Sequence, residues 1–247
     1  MSNHRALNMF GRSGNPAFGN KFSQQGSFVG TDAMSLSGTV NKTGILLGLC
    51  FFGALIGWNV PNMALIWIGI IGGFGAALYT MFVPRNAGIS SPIYAFLEGL
   101  ALGAISLFAE IQYPGIAIQA IGLTFGTLAS LLFFYKSGLI KPTENFRLMI
   151  FSATAGIAIL YLVSFIMSFF GSGIGFIHSN GIFGIGFSLF VVAIAALNLV
   201  LDFDFIEQGS ELGLPKYMEW FGAFALMVTL VWLYLEILRL LMKLRSR

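Results

Sequence analysis

Five carboxylates fall inside or at the rims of long apolar runs: Glu98, Asp202, Asp204, Glu219 and Glu236. An ionised acid at the centre of a membrane helix costs about 2.5–3.5 kcal/mol, so each needs a partner, a proton or a task. The chemistry open to them is a proton-sharing pair, an ion path or a structural ion pair. Asp202 and Asp204 close one run in the string Leu201-Asp202-Phe203-Asp204-Phe205. Two residues apart on a helix, they point to nearly opposite sides, so one can face a bundle interior and the other headgroups or water. Glu236 has Arg239 three positions on, the spacing of an i,i+3 ion pair. Glu98 adjoins Gly99 and lies about 9 Å along its run from Pro92. That places it toward a bundle interior, as a hydrogen-bonding protonated carboxyl or as part of an ion or proton path. The other five acids, Asp32, Glu110, Glu144, Glu207 and Glu211, lie in polar segments, at a span end or in a connection.

The elements that must position these groups follow from composition. Of 247 residues, 57% are hydrophobic and 9% charged, against about a quarter charged in a soluble domain. With a mean hydropathy of +0.85, a water-soluble globular enzyme is excluded. The single cysteine, Cys50, sits in an apolar run and excludes a disulfide scaffold. A net charge of +3 with scattered basic residues leaves no footprint for nucleic acid. The medium is a lipid bilayer.

A hydrocarbon core about 30 Å thick needs roughly 20 apolar residues per crossing helix. Seven stretches qualify: 44–60, 64–83, 92–108, 116–135, 148–170, 182–201 and 217–241. None alternates as a barrel strand would, so the fold class is an all-α integral membrane protein, a seven-transmembrane-helix bundle over 44–247. The first and third stretches are short enough to be tilted or partly re-entrant. Residues 1–43 are rich in Gly, Ser, Asn and Gln without sustained periodicity, the composition of a disordered polar tail. No h-region with a cleavage site precedes residue 44, so the first run reads as a retained helix.

Basic residues set the orientation. Arg5, Arg12, Lys21 and Lys42 lie in the tail; Arg85, then Lys136, Lys141 and Arg147, then Lys216 flank the second, fourth and sixth connections; the first, third and fifth carry none. The rule that cationic loops stay inside puts the N-terminus in the cytoplasm. Lys243, Arg245 and Arg247 run against it if all seven helices cross. Either the last helix crosses within an already oriented bundle, or one segment is re-entrant. Glycines four apart, Gly53/Gly57, Gly69/Gly73, Gly99/Gly103, Gly122/Gly126 and Gly171/Gly175, predict close helix packing. The run Gly171-Ser172-Gly173-Ile174-Gly175 lacks the Lys and Ser/Thr of a phosphate loop.

Catalysis is not expected. The only G-x-S-G string, Gly11-Arg12-Ser13-Gly14, is in the tail; the two histidines, His4 and His178, are in the tail and a connection. Both late Asp share one run, no G-x-G-D string exists, and the last span has no Lys before Lys243 to bind retinal. No Cys/His cluster suggests a metal, so no cofactor is expected, and calcium or protons enter only as a transported or sensed ion.

The string Leu201-Asp202-Phe203-Asp204-Phe205-Ile206-Glu207, the helix ending Ile237-Leu238-Arg239-Leu240-Leu241, and the segment from Tyr94 to Gly103 together resemble the Bax inhibitor-1 family, including its bacterial YccA-like branch. The likeness runs from about Gly44 onward. It implies six helices around a central seventh and a pH-sensitive calcium leak in the bacterial plasma membrane. The gate so implied is a carboxylate pair between helices six and seven, with an Arg from the end of helix two. Asp202 matches the helix-six acid and Arg85 falls near the family Arg. The helix-seven position is taken by Thr229 or by Glu236, depending on which end of that helix is aligned. Counted from Tyr217, Glu236 lies roughly 28 Å along and Thr229 roughly 18 Å, while Glu219 is nearest in level to Asp202. The sensor is then lost, or rebuilt from Asp202 with Asp204 or Glu219. Deprotonation would set like charges together at low dielectric and part the helices. The bacterial branch also implies a different class, a membrane protein that binds and restrains a partner such as a membrane protease. For that reading Phe10, Phe18, Phe22 and Phe28 of the tail would dock.

Overall fold

The computed structural model describes residues 33–60, 62–171, 175 and 179–246. The tail expected over 1–43, with its four phenylalanines, therefore lies largely outside the described residues, as do His4, His178, Pro61 and residues 172–174. The described chain is seven long helices: α1 (Leu36–Asn59), α2 (Met63–Phe82), α3 (Ala87–Gln112), α4 (Ile116–Lys136), α5 (Glu144–Phe169), α6 (Ile182–Glu211) and α7 (Met218–Arg245). A 3-10 turn, Pro84–Asn86, joins α2 to α3. All seven are long and apolar enough to cross a membrane.

The two spans expected to be short are not. α1 has 24 residues and α3 has 26, so α1 begins eight residues inside the stretch whose composition resembled a tail. The apolar pattern hid these first turns because they are rich in hydroxyls. Thr39 and Thr43 donate to the carbonyls of Ser35 and Thr39 at 3.0 and 2.9 Å, and Ser90 donates to Asn86 at 3.1 Å. A hydroxyl that bonds back to its own helix carries no polar demand into the bundle. Pro92, taken as a start, lies inside α3. Helix starts are capped by Ser35, Asn62 and Thr143, whose side chains accept from Gly38, Ala64 and Phe146 backbone nitrogens. The tight return between α3 and α4 needs Gly115, at φ 82°, in the left-handed region that glycine enters freely.

α7 is the central rod. In its most apolar segment 78% of residues are buried, against 17–22% in α1, α2, α4 and α5. It packs on α1, α3, α4 and α6, while α2 lies against α3 and α5 against α6. Thus four helices surround it directly and two form an outer layer. Outward faces carry Phe51, Ile71, Phe74, Phe165 and Phe169, each more than half exposed. A water-soluble monomer rarely shows so large an apolar belt, whereas hydrocarbon solvates it.

Glycines make the closest contacts, but not all of them. A Cβ on Gly53 would meet Leu100 N at 3.1 Å, one on Gly69 the Ala101 methyl at 2.8 Å, and one on Gly99 or Gly103 would overlap the backbone of Cys50 or Ala54. α3 is thereby clamped between α1 and α2 with backbones nearly touching. Among the described residues, nothing lies within 4 Å of such a Cβ on Gly122, Gly126, Gly171 or Gly175, so the close packing expected of those two pairs is not found there. Gly122 and Gly126 face outward on α4.

The chain ends report the crossings. Met34 N donates to Leu214 O at 2.6 Å, and Ala33 bridges Pro215, so α1 starts beside the sixth connection. At the other end Arg245 donates to Pro114 O at 2.7 Å, in the third connection. The start of α1 and the end of α7 are thus on opposite faces of the bundle, as an odd number of passes requires. From this packing, Gly103→Leu should lower stability by about 3 kcal/mol through overpacking. Gly126→Ala should be neutral or gain up to about 1 kcal/mol through helix propensity. Thermal unfolding of the two variants in detergent checks the contrast.

Candidate functional site

The site is built on one stripe of α6. Gly209, near its end, meets Met34 and Leu214, and Ile206 lies 3.2 Å from where a Cβ of Gly222 on α7 would be. Asp202 is one turn further inward on the same stripe and is 0% exposed. Asn198, a turn deeper still and 2% exposed, donates to Thr154 Oγ1 on α5 and to Ile194 O, both at 2.8 Å. With Ile206 opposite Gly222, the level of Asp202 on α7 is near Leu226, about one turn from Thr229 and about 10 Å from Glu219. Thr229 is buried and donates to Ala225 O at 3.3 Å.

Glu219 is therefore not the residue nearest in level to Asp202. Its carboxylate accepts from Ser35 N and Oγ at 2.9 and 2.8 Å and pairs with Lys42, all on the first turns of α1. Asp204 is likewise committed elsewhere. It pairs with Arg147 of α5 and accepts from Gln208 at 2.8 Å. Glu207 accepts from Tyr135 of α4. The end of α6 is tied by these bonds to α4 and α5, while the start of α7 is tied to α1.

At the other face Glu236, 2% exposed, pairs with Arg239 at 3.0 Å. Tyr161 of α5 completes a triad, donating to Glu236 at 3.0 Å and accepting from Arg239 at 2.8 Å, with the guanidinium 5.2 Å from its ring centre. Lys243 is buried too, donating to Gly184 O at 3.1 Å and Ser188 Oγ at 2.8 Å on the first turns of α6. Glu98 does not face the central helix. Its carboxylate lies over Gly73 of α2, half-buried in the outer layer. Arg85 is exposed in the turn before α3, and the three ion pairs among the described residues do not include it.

Several partners escaped the sequence reading. Arg147 stood only as an orienting charge, and Tyr135, Thr154 and Tyr161 as filler in apolar runs. The available signal was the need of a buried amide or phenol for a partner: Asn198 and Tyr161 each sit mid-run, where nothing but another helix can supply one.

Seven crossings wound about a buried last helix, with interior acids on the last two, define an integral membrane protein of the helical-bundle class. Residues 15–246 match the family described as Bax inhibitor 1 like, and the chain belongs to that family. No curated protein and no solved structure matches it.

The polar contacts generate one prediction here. Glu219→Ala removes the acceptor of Ser35 and the partner of Lys42, and breaking a buried pair from one side costs about 3–5 kcal/mol. Hydrogen exchange over residues 36–43 should accelerate strongly, while protection in the middle of α7 persists.

Proposed function

We propose that the protein is a pH-responsive calcium leak of the bacterial plasma membrane, conducting rather than catalytic, with its N-terminus in the cytoplasm. The observation that carries this reading is the complete burial of Asp202 on the stripe of α6 that faces α7. The family's implied gate lies at this interface, and the cationic turns on the N-terminal face support the orientation.

A neutral carboxyl can remain in that interface at small cost. An ionised one brings a charge into a medium of low dielectric, which costs several kcal/mol unless water or a cation reaches it. Ionisation therefore favours separation of α6 from α7 and attracts a cation to the gap. The other ion pairs suit this motion. At the N-terminal face Asp204–Arg147 keeps α6 on α5 and Glu219–Lys42 keeps α7 on α1, so these two ion pairs hold α6 and α7 to different neighbours there, while Lys243 joins α7 to α6 at the far face and acts as the pivot. The latch is then built on Asp202 at the level of Thr229, without Asp204 or Glu219, whose carboxylates are paired with Arg147 and Lys42.

Calcium flux into liposomes tests this. Measured from about pH 6 to about pH 8, the parent flux should rise several-fold toward the alkaline end, and Asp202→Asn should abolish that dependence on pH. Asp204→Asn should leave the profile in place. A parent profile reproduced by Asp202→Asn overturns the latch.

A further inference from the structure

On the side of α7 away from Asp202, α1, α3 and α4 leave a cavity of about 340 Å³, at the lower end of the roughly 300–1,000 Å³ of small-molecule sites. Its floor is Cys50, Leu102 and Val231, each 7–8% exposed. Its mouth opens between α1 and α4, which are not packing partners, and is flanked by the exposed Phe51 and Phe125. We propose that this groove is a binding site for one acyl chain of a bilayer phospholipid.

Three observations choose the occupant. First, the wall has nothing to offer water. Ser106 and Tyr234 share a hydrogen bond at 2.6 Å, Ser106 also donates to Leu102 O, and Thr124 donates to Ala120 O. A cavity whose hydroxyls are already spent stays dry, and left empty it would forfeit dispersion contacts on every side. Second, the mouth faces hydrocarbon, because the helices that flank it both cross the bilayer. Third, the length fits. From Leu47 to Trp58 the α1 wall runs eleven residues, about 16 Å, and one leaflet of a core about 30 Å thick is about 15 Å deep. Trp58, next to the end of α1, stands where an indole marks the headgroup boundary. The chain enters from the leaflet on the side of the first and third connections and ends near Leu47 at mid-membrane.

The test reconstitutes the full chain in liposomes containing phosphatidylcholine with a diazirine near the acyl terminus. After irradiation, adducts are mapped by peptide mass spectrometry. Adducts should appear on the floor residues Cys50, Leu102 or Val231, which lipid merely surrounding the bundle does not reach. Val231→Phe should cut floor labelling at least tenfold while labelling of the outward Ile70 and Phe74 on α2 stays level. Leu55→Trp, at the exposed mouth, gives the same readout should Val231→Phe not fold. Labelling of Ile70 and Phe74 with an unlabelled floor overturns the proposal. So does a benzophenone at position 51 that crosslinks chiefly to a second polypeptide, which would make the groove a helix-docking site.

Discussion

Hydrocarbon accepts and donates no hydrogen bonds, and that constraint shapes each polar contact in this bundle. Backbone demand is met inside the helices. Side-chain demand is met in two ways that leave different marks. Hydroxyls on Thr39, Thr43, Ser90, Ser106 and Thr124 fold back onto carbonyls one turn earlier. Acids, amides and cations cannot satisfy themselves so cheaply, and they reach across to other helices. Glu219 joins α7 to α1, Asp204 and Asn198 both join α6 to α5, and Glu236 joins α7 to α5, so the interior polar groups fix which helices are neighbours.

Dispersion fixes how near those neighbours come. α3 presents Gly99 and Gly103 to α1, α1 returns Gly53 and Gly57, and α2 returns Gly69, so the three backbones approach as one slab. α7 meets the slab differently, through Phe221, Phe224, Met227 and Leu230, large side chains buried against α1, α3 and α6. Tyr94 stacks edge-on to Phe224 at 5.1 Å, giving α3 an aromatic contact with the rod. Close backbone packing on one side and bulky interdigitation on the other make the slab the stiffer body. The interface of α6 with α7, which also holds Asp202, relies on side chains alone.

The number of helices and their approximate bounds were legible, because apolar runs and charge placement are local properties. What was not legible is pairing. Asp202 and Glu219 look alike in sequence, each near the end of a run, and depth counted from helix ends set them level. In the bundle Glu219 belongs to α1, a partner 177 residues away in sequence at Lys42, and no local pattern encodes that. Glu98 misled for a related reason. Its neighbour Gly99 does face a helix contact, yet a rotation of about 100° per residue on α3 sends Glu98 to α2. The glycines of α4 show the converse. The same spacing that marks an interface on α1 and α3 marks nothing where the helix face looks outward.

The basic end of α7 follows from the same constraint. Lys and Arg bias topology when they are hydrated and free to remain on one side. Lys243 is buried and has exchanged hydration for Gly184 O and Ser188 Oγ, while the exposed Arg245 is held to Pro114 O and Gln119 Oε1. Arg239, partly exposed, is held by Glu236 and Tyr161. Apart from Glu236, on α7 itself, those acceptors come from the α3–α4 turn, α4, α5 and α6, all of which precede α7 in sequence. The last crossing therefore finds its cation partners already in place on the far face. Cations with protein acceptors waiting for them are packing residues, and their count does not oppose a seventh crossing set by the six that precede it.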